Sequence, residues 1–308
     1  MKRREFLSLT LVAGFPAFLA SLSKNRFPLL RSGILWSGLQ SGESTQLIFS
    51  RIIQTALEKS WAGLPIGECM GRIGELFLGT QYVGGTIEGP GPEVCRVDLT
   101  RLDCVTFFEN ALCIARILKK GKTSFDDFLE EVTLTRYRGG KLTDYTSRLH
   151  YTSDWIYDNE KKNVVRNITK EVGGKEYQLK VSFMSENPQY YRALVEFPEF
   201  IPVIAWLEQE INKRSHWYIP QKKVRKAQRH LQTGDIIAFA TSKEGLDYSH
   251  TGMAFRDERG KLRLFHASSA KNRVILDTEL HEYVRSVETH IGITVARPLE
   301  VSSTSASN

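Results

Sequence analysis

The sequence predicts an α+β protein in which N-terminal helices pack on a small antiparallel sheet, with a subdomain inserted between the two. Apolar residues recur at helical spacing in the first half, whereas short β-branched and aromatic runs between turn residues dominate after residue 231. Hydrophobic residues make up 41% and charged residues 25% of the 308 positions. This ordinary globular composition excludes a disordered, a collagen-like and a multi-span membrane protein.

Residues 1–23 have the features of an export signal. Basic residues at positions 2–4 precede an apolar run over 9–20, which is too short to span a bilayer comfortably. The Arg-Arg-x-Phe-Leu order resembles a twin-arginine signal. Cleavage after Ala20 and cleavage after Ser23 both fit, and an uncleaved anchor is the alternative. We therefore expect an exported protein in the periplasm of a Gram-negative bacterium, without stable membrane insertion after cleavage.

Three helices are predicted after a Ser- and Gly-rich linker at 24–44. Apolar residues at helical spacing define them, and Gly, Pro or Lys residues end them. The loop between the second and the third contains several glycines and two prolines. Together they form a helical half over 45–121, with helices at 45–61, 66–77 and 104–118 and the loop at 79–92.

The rest of the chain divides into a polar segment and a sheet. Residues 122–230 are mixed in character, with helical stretches near 124–136 and 199–214, and a polar segment of this length favours an inserted subdomain over a bare loop. The sheet half covers 231–300, and the Ser-rich tail 301–308 is expected to be disordered. Four strands are predicted, at 236–240, 251–255, 262–267 and 291–296.

Cys104 is the candidate nucleophile. It begins the third predicted helix, where unpaired backbone N–H groups and the helix dipole favour the thiolate form. A cysteine nucleophile also needs a base, and the base needs an orienting group. His250 and His266 lie on two successive predicted strands, and their side chains can meet if a hairpin joins the strands. The pattern predicts His250 as the base and His266 as its orienting group.

Five segments occur in an order that is typical of one enzyme group. They are Gly-Thr-Gln-Tyr-Val-Gly-Gly at 79–85, Asp-Cys at 103–104, Thr-Gly-Asp-Ile-Ile at 233–237, Ser-His-Thr-Gly-Met at 249–253 and His-Ala-Ser at 266–268. Together they resemble the NlpC-type cell-wall hydrolases, a papain-like group of bacterial cysteine peptidases and amidases. Val105 and Gln81 depart from the Ser and Pro of that group, and Cys104 and His250 are unusually far apart in sequence.

Longer motifs point to one branch of that group. They are Gly-Thr-x-Tyr-Val-x-Gly-Thr-x-Glu at 79–88, Leu-Asp-Cys-Val-Thr-Phe at 102–107 and Tyr-x-Ser-Arg-Leu-His-Tyr-x-x-Asp-Trp at 145–155. They resemble the N-acetylmuramoyl-L-alanine amidase-like hydrolases, which carry a large insertion around the active site. The resemblance implies cleavage of the amide between the muramic lactyl group and L-alanine by the thiol, without a metal or other cofactor.

The resemblance also implies substrate contacts. Tyr82 would bind the scissile carbonyl or its oxyanion together with the Cys104 backbone N–H, with core packing as the alternative. Asp103 could contact substrate or cap the helix, and Ser249 is also expected to contact substrate. An aromatic and charged cluster in the insertion suits sugar rings and carboxylates, with a solvated surface as the alternative. This cluster comprises Tyr145, Arg148, His150, Tyr151, Asp154 and Trp155.

The remaining cysteines and the charge limit the possible partners. No Cys-x-x-Cys or His-x-x-x-His spacing occurs, which argues against a structural zinc site. Cys69 and Cys95 could form a bridge in an oxidising compartment, whereas Cys113 is expected in the core. No phosphate-cradling glycine loop or base-reading basic helix is present, so nucleotides and nucleic acids are disfavoured. The net charge of +7 suits a carboxylate-rich partner.

The sequence therefore predicts an exported, monomeric cysteine amidase that releases stem peptides from peptidoglycan or soluble muropeptides through a thioester. A D-glutamyl-diamino acid endopeptidase of the same fold is the alternative, because the pocket formed by 122–230 would select the bond. A non-catalytic cell-wall binding protein is more remote, since a binder has no need of a thiol beside an imidazole pair.

Overall fold

The computed structural model describes residues 44–301. The predicted export signal, nearly all of the predicted linker and residues 302–308 lie outside this range. Within it, no helix combines the length and the apolar character that are needed to cross a bilayer.

The described chain contains ten α-helices and ten β-strands. The helices are α1 Thr45–Glu58, α2 Ile66–Glu75, α3 Cys104–Lys119, α4 Phe125–Arg136, α5 Thr152–Lys161, α6 Phe183–Glu186, α7 Arg192–Glu196, α8 Phe200–Asn212, α9 Gln221–Ala227 and α10 Leu280–Ser286. The strands are β1 Gln81–Tyr82, β2 Arg101–Leu102, β3 Val165–Asn167, β4 Lys175–Tyr177, β5 His216–Pro220, β6 Ile236–Thr241, β7 Tyr248–Arg256, β8 Leu262–Ser268, β9 Arg273–Glu279 and β10 His290–Pro298.

The α+β class is confirmed, but the sheet is larger than the predicted small antiparallel one. All ten strands of the described residues form one sheet, in the order β2-β1-β9-β8-β7-β6-β10-β5-β4, with β3 also paired to β10. β1 and β2 are parallel and the other pairs are antiparallel, so the sheet is mixed. The extra strands are β1 to β4, of two or three residues each, the five-residue β5, and β9, and none of them has the hydrophobic alternation that predicts a strand.

Helix α3 forms the centre of the main core. Its side chains are buried along nearly the whole helix, and it packs against α2, α4 and the strands β7 and β8. The rings of Phe107 on α3 and Phe265 on β8 lie 5.0 Å apart between centroids. Because α3 is held on two sides, its N-terminus, which bears Cys104, has a defined position against the sheet.

The segment 122–230, predicted as one inserted subdomain, contributes to three different cores, one of them through β5 and α9. Its first part supplies α4, α5 and β3 to the main core, where Phe128, Trp155 and Val165 are buried. Its later part forms a separate cluster around α6 and α8, which also includes Tyr145 and Tyr151. Only this later part has a core of its own, because the earlier elements bury their apolar faces against α3 and β10.

The predicted turn Thr233-Gly234-Asp235 is a structural junction. Gly234 has φ +86°, and a Cβ on Gly67 of α2 would lie 2.3 Å from the Thr233 carbonyl oxygen. Two glycines thus allow α2 to meet the start of β6 at backbone distance. Both oxygens of the buried Asp235 accept hydrogen bonds from Arg297, each at 2.7 Å, which ties the turn to β10.

Candidate active site

Cys104 is the first residue of α3 and is half-buried. Asp103 caps the helix: its Oδ1 accepts from the backbone N–H groups of Val105 at 3.0 Å and Thr106 at 2.8 Å, while Thr106 Oγ1 accepts from the Asp103 N–H at 2.9 Å. This is a reciprocal capping box. Of the two roles predicted for Asp103, the structure therefore supports the cap.

The predicted pair of histidines meets across β7 and β8. His250 Nε2 lies 2.5 Å from His266 Nδ1, and His266 Nε2 lies 3.2 Å from Asp277 Oδ2. A carboxylate can only accept, so the His266 Nε2–H donates to Asp277 and its Nδ1 is left to accept from the His250 Nε2–H. The unprotonated nitrogen of His250 is then Nδ1, which is the atom able to act as a base.

The Cys104 thiol lies against β7 at Thr251, the residue that follows His250. The Thr251 hydroxyl and backbone act to lower the pKa of the Cys104 thiol, and the buried hydroxyl forms no hydrogen bond within the described chain. Between residues 44 and 301, no hydrogen bond joins Cys104 to His250 directly. Catalytic hydrogen bonds are often long in the absence of substrate, so this separation is compatible with a working pair.

The environment of Cys104 and that of His250 both favour the neutral form of the side chain. Burial, followed by the adjacent Asp103 carboxylate, raises the pKa of the Cys104 thiol to about 11. Burial, followed by the charge of His266, lowers the pKa of His250 well below its ordinary value. The thiolate expected from the helix N-terminus is therefore not the favoured form, because loss of solvation and a neighbouring anion outweigh the helix dipole.

Tyr82 and Ser249 lie next to these groups. The pairing of β1 with β2 places Tyr82 beside Leu102, and the pKa of Tyr82 is raised by burial and then by the charges of Cys104 and Asp103. Ser249 is the extra residue at the register shift where β7 pairs with β6, and its buried hydroxyl has no partner among the described residues. A bulge of this kind re-aims neighbouring side chains.

The predicted sugar-binding cluster is buried, and this corrects its assignment. Tyr145, Arg148 and Trp155 are 3%, 5% and 2% exposed. Arg148 is saturated by Glu93, with contacts of 2.9 and 2.6 Å, and by Glu88, while the Trp155 indole N–H donates to Glu109. Their aromatic and charged character serves internal packing and ion pairs, so these side chains are not available to stack on a sugar or bind a carboxylate.

Asp277 and Tyr283 belong to the site but do not stand out in the sequence. Asp277 lies on β9, where the register against β8 shifts and turns its carboxylate toward His266. An Asp within a strand is uncommon, and this was the signal that could have identified it. Tyr283 of α10 packs on both imidazoles, and no spacing in the sequence links it to them.

The remaining cysteines form no disulfide, and the described residues form no metal site. All four cysteines are free, so the possible bridge between Cys69 and Cys95 is not formed. Burial raises the pKa of Cys69 to about 12 and that of Cys113 well above its ordinary value. Within 44–301, no group of three His, Cys, Asp or Glu side chains is arranged to hold a metal ion.

Buried histidines make the fold acid-sensitive. Burial lowers the pKa of His290 to about 4 and also lowers the pKa of His216 and His266. Below the ordinary value of 6.5 the unfolded chain binds protons that the native chain does not, so stability is complete above pH 6.5 and falls as the pH drops toward 4. His290 alone should cost about 2 kcal/mol by about pH 5.

Urea unfolding at neutral pH and at about pH 5 measures this loss. His290→Gln has no imidazole to protonate, and we expect its stability to depend less steeply on pH than that of the wild type. Equal slopes for the two proteins would contradict the assignment to His290.

A family described as AmiA-like, N-acetylmuramoyl-L-alanine amidase-like, matches residues 72–293. The chain is 32% identical to an N-acetylmuramoyl-L-alanine amidase from Bacteroides uniformis ATCC 8492, over 76% of this chain and 98% of that one, with a TM-score of 0.71.

Two further structures share the fold. A Bacteroides fragilis protein provisionally named a xylanase is 34% identical, with a TM-score of 0.69 and coverage of 73% of this chain and 98% of that one. Protein LPG0564 from Legionella pneumophila str. Philadelphia 1 is 22% identical, with a TM-score of 0.61 and coverage of 82% and 94%, and it informs on the fold alone. No curated protein sequence matched the chain.

Proposed function

The chain belongs to the N-acetylmuramoyl-L-alanine amidase-like family, and we propose that it hydrolyses the amide between the muramic lactyl group and L-alanine with Cys104 as the nucleophile. The observation that carries the proposal is the hydrogen-bonded series from His250 through His266 to Asp277, which leaves His250 Nδ1 as a base on the strand that contacts the thiol. A papain-like mechanism and an NlpC-type core are parts of the same proposal.

In the first half-reaction, His250 Nδ1 takes the thiol proton as the sulfur attacks the lactyl carbonyl carbon. Substrate binding would bring the thiol and the imidazole into contact, and the neutral resting pair means that proton transfer accompanies the attack. Tyr82 and the Cys104 backbone N–H would donate to the oxyanion. The carbon–nitrogen bond then breaks, and the proton on His250 passes to the amine of L-alanine.

In the second half-reaction, water attacks the thioester carbon. His250 Nδ1 takes one proton of that water as its oxygen bonds to the carbon, and the sulfur leaves and regains the proton. The products are the free lactyl carboxyl group and the released stem peptide. His266, held by Asp277, keeps His250 in the required tautomer throughout, as the acidic member of a catalytic triad does.

Mass spectrometry of a purified disaccharide-tetrapeptide tests the proposal. We expect free disaccharide and intact tetrapeptide from the wild type and from Cys95→Ala, and neither product from Cys104→Ala. A cut within the peptide would favour the endopeptidase. Release of sugar from xylan would favour the activity named for the Bacteroides fragilis structure. No product from any substrate would contradict an enzymatic role and favour a wall-binding protein.

We propose export as well, on the basis of residues 1–23. Detection of the protein in the periplasmic fraction of the producing cell, together with its retention in the cytoplasm when Arg3 and Arg4 are both lysine, would support a twin-arginine signal. Periplasmic location of both forms would contradict it.

A further inference from the structure

Tyr283 is a partly exposed tyrosine held over the histidine pair. It lies on α10, whose Leu280 and Val284 are fully buried and fix the helix against the sheet. Its ring centroid is 5.1 Å from that of His266, 6.1 Å from that of His250 and 5.1 Å from that of Phe239, which itself stacks on His250. Three rings, those of Tyr283, His266 and Phe239, thus pack around the imidazole of His250.

The hydroxyl of Tyr283 has no hydrogen-bond partner anywhere in the described range, although the ring is tightly packed. Its pKa is raised, first by burial and then by the charges of Asp277 and Cys104, so the phenol is neutral and can donate as well as accept. The influence of Cys104 also places this hydroxyl within electrostatic range of the thiol. This hydroxyl is not among the buried unpaired polar atoms, so it is open to solvent and to a bound molecule.

Tyr283 therefore lies near both the Cys104 thiol and the histidine pair, which are not hydrogen-bonded to each other. Its ring packs on both imidazoles, and its hydroxyl is within electrostatic range of the thiol. The scissile amide must lie beside these groups for the sulfur to attack and for His250 to protonate the amine. Tyr82 approaches the same thiol from β1. The site then presents one tyrosine from β1 and another from α10.

We infer that Tyr283 is a substrate-contacting residue whose hydroxyl hydrogen-bonds the substrate beside the scissile amide, between the thiol and the imidazole pair. The inference rests on the proposed function and adds a specificity-determining contact to it. A purely structural role would need only the ring, which phenylalanine supplies equally well. The phenylalanine variant therefore separates the hydroxyl from the packing.

The experiment compares wild type, Tyr283→Phe and Tyr190→Phe, a matched removal of a hydroxyl from a tyrosine that is 47% exposed and outside the site. Two rates are measured for each protein: hydrolysis of the disaccharide-tetrapeptide, and alkylation of Cys104 by iodoacetamide. For Tyr283→Phe we expect kcat/KM to fall about 10- to 100-fold, as for the loss of a hydrogen bond at a buried site, with an unchanged alkylation rate. Tyr190→Phe should match the wild type in both.

Three results would overturn the inference. Hydrolysis by Tyr283→Phe at the wild-type rate would show that the hydroxyl does not contact substrate. An equal fall in hydrolysis and alkylation would show that Tyr283 acts only through the thiol and the imidazoles. Absence of hydrolysis by the wild type would refute the proposed function and, with it, this contact. This outcome differs from the first two because the wild-type protein itself is then inactive.

Discussion

Replacing Cys104 with alanine is expected to reduce amide hydrolysis by several orders of magnitude, because no thioester can form without the sulfur. Cys104 is half-buried at a helix terminus whose cap is made by Asp103 and Thr106, so the free energy of unfolding should change by less than about 1 kcal/mol. Steady-state kinetics and urea unfolding on the same preparation measure both quantities.

The pH dependence of the base variant tests the neutral resting pair. At pH 7, His250→Ala should lose about 10²- to 10⁴-fold in kcat/KM, because the thiol proton has no acceptor. As the pH rises toward the thiol pKa of about 11, the thiolate forms without a base and part of the attack step should recover. Cys104→Ala should show no such recovery.

Single-turnover formation of the thioester isolates that attack step from the later steps that also need His250. A His250→Ala variant whose acylation rate stays flat from pH 7 to the highest pH at which it remains folded would contradict the proposed role of the imidazole. Hydrolysis by Cys104→Ala at the wild-type rate would contradict the assignment of Cys104 as the nucleophile.

The second large effect concerns stability. Glu109 lies on α3, five residues after Cys104, and its carboxylate accepts from Arg136 Nε at 2.8 Å and Nη2 at 2.7 Å and from the Trp155 indole N–H at 3.2 Å. All three side chains are almost fully buried. Glu109→Ala leaves the Arg136 charge buried without its partner, and we expect a loss of about 3–5 kcal/mol.

Such a loss is a large fraction of the 5–15 kcal/mol that ordinarily separates native from unfolded chains. Glu75→Ala is the matched control, because it removes one partner of the exposed Arg72–Glu75 pair and should cost less than about 1 kcal/mol. The double variant Glu109→Leu with Arg136→Met should recover part of the loss, since neither charge remains buried. A change below 1 kcal/mol for Glu109→Ala in urea unfolding would contradict the structural role of this pair.

Local signals were sufficient for much of the fold and for the centre of the site. Asp103 and Thr106 have the spacing of a capping box. The start of α3 at Cys104 could therefore be predicted from a few adjacent residues. The strands that bear His250 and His266 are short runs of strand-forming residues joined by a turn. The meeting of the two histidines could therefore also be predicted from local sequence. Each of these features depends on neighbours in the chain.

Other properties depended on residues that are distant in sequence. Arg148 pairs with Glu88 and Glu93, which are more than fifty positions away in sequence, so the cluster predicted to bind sugar is internal. Side-chain types alone do not distinguish a solvent-exposed surface from an interior in which the polar groups are hydrogen-bonded. Asp277 reaches His266 only because the register of β9 shifts. The thiol is neutral because packing removes water from it, which the helix dipole alone does not predict.

The chemistry of this chain therefore has two origins. Its cysteine at a capped helix start and its histidines on paired strands are encoded by short-range pattern, since caps, periodicity and turns are properties of a few adjacent residues. The contact of Asp277 with His266, the packing of Tyr283 on the imidazoles and the protonation states depend on β9, α10 and α3. Burial, register and electrostatic environment are set by the packing of distant segments, and for that reason they appear only once the chain is folded.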